Sequence, residues 1–265
     1  MIPKVIHYFW FGDNPQNELI KKCIDSWRKY CPDYEIKEWT EDNYDVHKHP
    51  FMKAAYEAKK WAFVADYARI DVIHEYGGVY LDTDVELIKK MDPYLEYDFY
   101  AGFESSAFVN FGIGFGAIKG HKILKEILDY YDNLEFPTTD FGLSQISCPR
   151  IQTEILQRHG MICNDQTQLI DGCHIFSSNF FCPMSFRTGE TNITENTVSI
   201  HHFDMSWCSD STKHIKTIEW RMTQAFGDKW GHRVSSLINF PRKLINRAKE
   251  GNLRDYLKFL IRRKK

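Results

Sequence analysis

The chain has 265 residues, 43% hydrophobic and 26% charged, a balance that excludes intrinsic disorder and collagen-like repeats and fits one or two domains. A formal net charge of −2 hides an asymmetry: positions 241–265 hold ten basic and two acidic residues, a net +8 that leaves −10 on the other 240. No stretch approaches the ~20 apolar residues of a membrane span, the first residues lack a secretory-signal pattern, and seven scattered cysteines without a C-x-x-C pair read as reduced thiols of a cytosolic protein.

In chain order, residues 4–10 form an apolar, β-branched run that ends at the turn signal Phe11-Gly12-Asp13-Asn14-Pro15. Residues 16–30 carry Leu19, Ile20, Cys23, Ile24 and Trp27 at helical spacing, and 34–39 alternate as a strand. Strand, helix, strand at this spacing is a βαβ unit, so a mostly parallel sheet with flanking helices is expected. Residues 52–76 read as one or two helices broken by Gly77-Gly78, and 79–81 as a buried strand. After Asp82-Thr83-Asp84 the chain resumes extended at 85–88. Strands are expected at 99–103, 108–118 and 198–202, and helices at 121–131, 145–159 and 213–226. The aromatic content of 15% fits core packing better than a stacking surface. In the tail, Leu253, Tyr256, Leu257 and Leu260 make a basic amphipathic helix, which can lie on an anionic membrane or pack on the body. The organisation read from the sequence is one domain over 1–240 and a basic helical tail over 241–265.

Three clusters carry chemistry. Asp82 and Asp84 follow the buried strand at the mouth of a parallel sheet, and on extended chain both point to one side. Two such carboxylates repel unless a cation joins them, and oxygen ligands suit Mg²⁺ or Mn²⁺. Asp66 and Arg69 share a helix face in an apolar segment, either as a structural ion pair or as groups for sugar hydroxyls and phosphate oxygens. The third cluster is His201-His202-Phe203-Asp204-Met205-Ser206-Trp207, with imidazoles for a metal and hydroxyl and indole donors for phosphate. Trp10, at the end of the first strand, packs in the core or stacks on a base.

Taken in order, these blocks resemble the bacterial members of glycosyltransferase family 32. That D-x-D sugar-transferase group includes yeast mannosyltransferases and is similar to the glucosylating clostridial toxins. The resemblance rests on Ile2-Pro3-Lys4-Val5-Ile6-His7-Tyr8-Phe9-Trp10, on Ala65-Asp66-Tyr67-Ala68-Arg69 leading into Tyr76-Gly77-Gly78-Val79-Tyr80-Leu81-Asp82-Thr83-Asp84, and on His201-His202 with Ser206-Trp207. It implies an α/β fold of the A-type glycosyltransferase kind, with a Rossmann-like mixed sheet and a helical C-terminal appendage. It implies retaining, Mn²⁺- or Mg²⁺-dependent transfer of a hexose, galactose or a relative, from a nucleotide sugar, UDP-linked. The acceptor implied is a growing glycan or lipid-linked oligosaccharide of the capsule or O-antigen type. By position, Trp10 would stack on the base and Asp66 and Arg69 would hold the donor sugar, with Asn110 near it. Asp82 would contact ribose, sugar or metal, and Asp84 the metal. His202 would be the remaining metal ligand, with His201 the fallback, and Ser206 and Trp207 would bind the β-phosphate.

Two departures touch acceptor details: Cys148-Pro149 stands where the family commonly has Gly-Pro, and Phe203-Asp204-Met205 where it often has an aromatic-Ala-Gly run. The thiols are expected of a cytoplasmic chain, and the tail's charge suits a peripheral position on the inner face of the plasma membrane as one of its two readings. The acidic body disfavours a nucleic-acid partner. A D-x-D phosphohydrolase is the weaker rival, because Glu86 occupies the place where that motif wants Thr or Val. A non-catalytic sugar-nucleotide or glycan-binding protein is the other.

Overall fold

Val5–Phe9 becomes strand β1 because five apolar or aromatic residues in a row suit a strand buried on both faces. The computed structural model describes residues 1–12, 14–137, 146–205, 208 and 210–249. The tail helix expected over 252–265 lies outside the described residues, as do Ser206 and Trp207.

By its internal contacts the chain divides into two units, residues 1–184 with 192–204, and residues 185–191 with 205–265. In the first unit, Asn17 caps helix α1 (Glu18–Tyr30) by accepting the Ile20 N–H at 3.0 Å, and the helix leads to β2 (Glu35–Trp39), parallel to β1 in the register Val5↔Glu35. His49 caps α2 (Pro50–Glu57), and α3 (Trp61–Tyr76) follows, so the stretch read as one or two helices is two. α3 returns the chain to β3 (Gly78–Tyr80), which pairs parallel to β1 on the side away from β2. Gly78 takes φ 116°, and a Cβ there would stand 2.8 Å from the His7 imidazole and 2.9 Å from the Val5 carbonyl.

Beyond β3 come β4 (Val85–Leu87), β5 (Phe99–Ser105), β6 (Phe108–Val109) and β7 (Phe115–Ala117). Helices α4 (Lys122–Asp132) and α5 (Cys148–Arg158) follow, then β8 (Gln168–Ile170), β9 (Cys173–Phe176), the short α6 (Ser178–Phe181) and β10 (Ser199–His201). The main sheet runs β2-β1-β3-β7-β5-β9-β8, with β6 on β5; β1, β2 and β3 are mutually parallel, and β7 lies antiparallel to both β3 and β5. A second, two-stranded sheet pairs β4 with β10. A mixed α/β sheet with flanking helices is therefore what the chain forms.

Several sequence expectations change. The sheet expected to be mostly parallel is mixed, because β3–β7, β5–β6, β5–β7 and β8–β9 pair antiparallel. The single strand expected at 108–118 is interrupted by a 3₁₀ turn at Phe111–Ile113, because Asn110 turns its side chain back to accept the Gly112 N–H. The β8–β9 pair had no strong alternation to announce it. Most of the aromatic excess fills the core: Phe9, Phe11, Trp39 and Tyr44 pack edge and face around β1, and Phe99, Phe103, Phe111 and Phe115 are buried under β5 and β7. None of the seven cysteines forms a disulfide.

The second unit is dominated by α7 (Asp210–Lys249), a helix interrupted at Gly227. It runs well past the 213–226 expected. The loop 185–191 belongs to the same unit and packs on its first arm, where Trp220 Nε1 donates to Phe186 O at 2.8 Å. Among the described residues no helix is long and apolar enough to cross a membrane.

Candidate active site

The chain leaves β1 towards β2 on one side and comes back to β3 on the other, so the carboxyl ends of β1 and β3 flank a topological switch point, where open α/β sheets bind ligands. Asp82 lies just beyond β3. The sequence suggested extended chain through Asp82-Thr83-Asp84, but the segment is a turn closed by the Val85 N–H on the Asp82 carbonyl at 3.0 Å. That turn brings the two carboxylates together, where an extended chain would separate them along its length. β4 is then held from α1: Trp27 Nε1 donates to Val85 O at 2.7 Å, and Leu87 N donates to Ser26 Oγ at 2.8 Å.

β10 completes the cluster. It pairs antiparallel with β4 in the register His201↔Val85, which lays His201 beside the turn. Ligand atoms of Asp82, Asp84 and His201 all lie within 4.8 Å of one another. His201 Nε2 is 3.3 Å from Asp84 Oδ1, and Asp84 Oδ2 accepts the Asp204 N–H at 2.8 Å. Burial opposes the charged form of Asp84, but His201 and the Asp204 N–H outweigh it and hold the carboxyl down at about 2. Burial likewise opposes a charged His201, and the Asp84 carboxylate raises that imidazole well above its ordinary value. His202, one residue past the strand, points elsewhere: its Nε2 sits 2.8 Å from Glu86 Oε2, which also takes Lys22 Nζ at 2.8 Å. The structure thus groups His201, the fallback of the sequence reading, with the aspartates, and places His202 on Glu86.

Asp66 and Arg69, one α3 turn apart, are both buried, and Arg69 Nη2 bonds Asp66 Oδ1 at 2.8 Å. The same nitrogen reaches Asp82 Oδ1 at 3.3 Å, so this pair is joined to the turn. Tyr80 supports the junction twice: its hydroxyl donates to Asp82 Oδ1 at 2.7 Å, and its ring lies 4.8 Å under the guanidinium. Burial pushes the Asp66 carboxyl up, against the pull of Arg69.

Asn110 closes the group. Its Oδ1 accepts the Gly112 N–H at 2.7 Å, and Gly112 O accepts the Asp82 N–H at 3.0 Å. A Cβ on Gly112 would stand 2.1 Å from Asp82 Oδ2, 2.7 Å from Arg69 Nη1 and 3.0 Å from Asn110 Oδ1. From α5, Gln152 Oε1 accepts the Phe111 N–H at 2.9 Å and Thr153 Oγ1 the Val109 N–H at 3.0 Å. Trp10 lies at the same carboxyl edge, half-buried, its indole N–H on Asn14 O at 2.9 Å. Sequence reasoning passed over Tyr80, Gly112, Gln152 and Thr153. Tyr80 was visible only as one apolar residue of a strand, and the α5 pair carried no signal.

The donor set fits a divalent cation: two carboxylates and an imidazole supply hard oxygens and one borderline nitrogen, with no thiolate. The charge fits as well. Asp66, Asp82 and Asp84 against Arg69 leave two negative charges when the imidazole is neutral.

Part of this site lies in a stretch that is similar to known proteins. Residues 17–100 match the family described as "Glycosyltransferase sugar-binding region containing DXD motif", a stretch that holds Asp66, Arg69, Asp82 and Asp84. Over this region the chain is similar to glycosyltransferases that carry a DXD motif. Among curated proteins it is similar to inositol phosphoceramide mannosyltransferase 3 of Schizosaccharomyces pombe, 30% identical over 135 residues, 48% of this chain and 36% of the relative. It is also similar to the mannosyl phosphorylinositol ceramide synthase CSH1 of Saccharomyces cerevisiae, 26% identical over 148 residues, 52% of this chain and 38% of the relative. The chain spans roughly a third of the length of these relatives. Solved structures to which the chain is similar include two with TM-scores below 0.5. One is the PaToxG glycosyltransferase, at 0.47 with 18% identity over 59% of this chain and 69% of that one. The other is a glycosyltransferase involved in glycosylation of the major capsid of PBCV-1, at 0.41 with 11% identity over 75% and 93%.

Proposed function

We propose that the chain is a retaining, metal-dependent glycosyltransferase that moves a hexose from a nucleotide sugar, UDP-linked, to a growing glycan or lipid-linked oligosaccharide. The observation that carries this reading is the meeting of Asp82, Asp84 and His201 at the carboxyl edge of β3, inside the matched DXD region. Asp82, Asp84 and His201 would hold Mn²⁺ or Mg²⁺, which supplies Lewis-acid stabilisation of the diphosphate leaving group. Arg69, fixed between Asp66, Asp82 and the Tyr80 ring, offers a rigid guanidinium that needs no reorganisation as charge shifts in the donor. Asp66 accepts from sugar hydroxyls, and the 3₁₀ turn after Asn110 sets the wall against which the sugar lies. Trp10 stacks on the base. Ser206 and Trp207 bind the β-phosphate by family resemblance.

A second reading of the donor is favoured by the relatives. Both carry mannosyl transfer to an inositol-containing ceramide in their names, so mannose stands beside galactose as the hexose. The acceptor is then lipid-borne, which agrees with a cytoplasmic, peripheral position on an anionic membrane, supported by the +8 of residues 241–265. Thermal-shift measurement of the full chain against UDP- and GDP-hexoses, with and without Mn²⁺, tests the site. One donor is expected to raise the melting temperature only with the metal, and Asp84→Asn to lower Mn²⁺-dependent donor hydrolysis by about 100-fold or more. Equal shifts without metal, or near wild-type hydrolysis by Asp84→Asn, would overturn the assignment.

A further inference from the structure

Within the helical unit, α7 folds back on itself at Gly227, whose φ of 72° interrupts the helix. The two arms run antiparallel: Thr223 faces Gly231, His232 Nδ1 meets Glu219 Oε1 at 2.6 Å, and Asn239 Nδ2 donates to Ile215 O at 3.2 Å. The seam between them is small and polar. A Cβ on Gly231 would stand 2.3 Å from the Thr223 Cα, so glycine is what lets the arms close to this distance. Ser235 and Asn239, at successive four-residue steps, are 3% and 2% exposed.

Most of the large apolar side chains of the second arm are on the outside. Trp230, Leu237 and Ile245 are 60%, 77% and 56% exposed, and Ile238 and Phe240 are exposed as well. At 100° per residue, Trp230, Leu237, Pro241 and Ile245 share one stripe, on a different face from Gly231, Ser235 and Asn239. A groove of about 600 Å³ beside that stripe is lined by Ile218, Ile238, Pro241 and Ile245. A hairpin built for water does the reverse, burying its apolar stripe and exposing polar residues. A small, polar seam with an apolar exterior is how helices pack in lipid. The segment is also basic, with fifteen Lys and Arg against five Asp and Glu from residue 210 onwards, a net +10 on a chain of net −2. Among the described residues neither arm is long and apolar enough to span a bilayer, so such a face suits a place along the surface.

We propose that the outer stripe of the second α7 arm, from Trp230 to Ile245, is a docking surface for an anionic lipid bilayer. It inserts its apolar side chains at the headgroup–acyl boundary while the basic residues meet lipid phosphates. The proposal rests on the membrane part of the function proposed above and deepens it, because it assigns the contact to a folded apolar face and not to charge in the tail alone. The test is co-sedimentation of the full chain with vesicles of phosphatidylglycerol and phosphatidylcholine, at low salt and at about 1 M salt, where the Debye length is about 3 Å. Wild-type protein, and a chain ending at Lys249, are expected to stay bound in high salt. A variant with Leu237→Ser, Phe240→Ser and Ile245→Ser is expected to bind roughly tenfold or more weakly there. Brominated lipid should quench the wild-type tryptophan emission, and Trp230→Phe should lose that quenching. Absence of wild-type binding at low salt would overturn the membrane reading and this proposal together. Binding at low salt that high salt abolishes equally in wild type and variant would overturn this proposal alone. So would a wild-type dimer that the triple substitution converts to a monomer without change in vesicle binding, since a second copy would then cover the face.

Discussion

Gly112 shows how little room the site leaves. An added methyl would stand 2.1 Å from Asp82 Oδ2 and 2.7 Å from Arg69 Nη1, and neither can retreat, because Tyr80 and Asp66 hold them from behind. Gly112→Ala is therefore expected to displace the turn by a fraction of an ångström or more and to lower transfer by about 100-fold, the scale of a 1 Å misplacement. Activity within threefold of wild type, in a steady-state transfer assay, would show that the wall yields. The aspartates and Arg69 were legible in the sequence because charges in an apolar segment and after a buried strand are conspicuous. The choice between adjacent histidines was not legible. It depends on which one faces inward, and the pairing His201↔Val85 across more than a hundred residues of separation decides that.

Among the elements, the αβ layering was readable because apolar periodicity changes from helical to alternating at each boundary, as in residues 18–39. What could not be read is how α1 clamps β4. Trp27 looked like one more apolar position on a helix face, yet its indole donates to Val85 O inside the core. Trp27→Phe keeps most of the ring and leaves that carbonyl without its donor, which is expected to cost about 1–3 kcal/mol in urea unfolding. Donor affinity should fall with it, since β4 carries the chain directly out of the Asp82–Asp84 turn. Unchanged stability would mean that the carbonyl finds another donor. α5 teaches a similar lesson: Gln152 and Thr153 serve the backbone of a distant loop, and no local pattern marks a side chain whose partner is 41 or 44 residues away.

For the molecule as a whole, His7 sets a pH limit on stability. It is buried, its Nδ1 accepts from Trp39 Nε1 at 3.1 Å, and its Nε2 N–H donates to Gly77 O at 3.0 Å, an arrangement that requires the neutral ring. Burial is the main cause that lowers its pKa to about 4. The unfolded chain takes up a proton near 6.5 and the folded one does not until about 4, so stability is complete above 6.5 and declines as pH falls through that window. The loss reaches up to about 3 kcal/mol by pH 4. Urea midpoints at pH 7 and pH 5 should differ more for wild type than for His7→Gln; equal differences would remove His7 as the cause. The overall sheet order follows from ordinary rules of connection, whereas the break at Gly227 and the hairpin beyond it were hidden in a stretch that reads as loosely helical. The two-stranded β4–β10 sheet has a last consequence. Its partners, at 85–87 and 199–201, are joined over three residues each, so a ribosome must add more than a hundred residues after Asp84 before the imidazole can meet its carboxylates. A product released before residue 199 would carry the DXD turn with no imidazole beside it, and under the proposed function it would be silent in transfer.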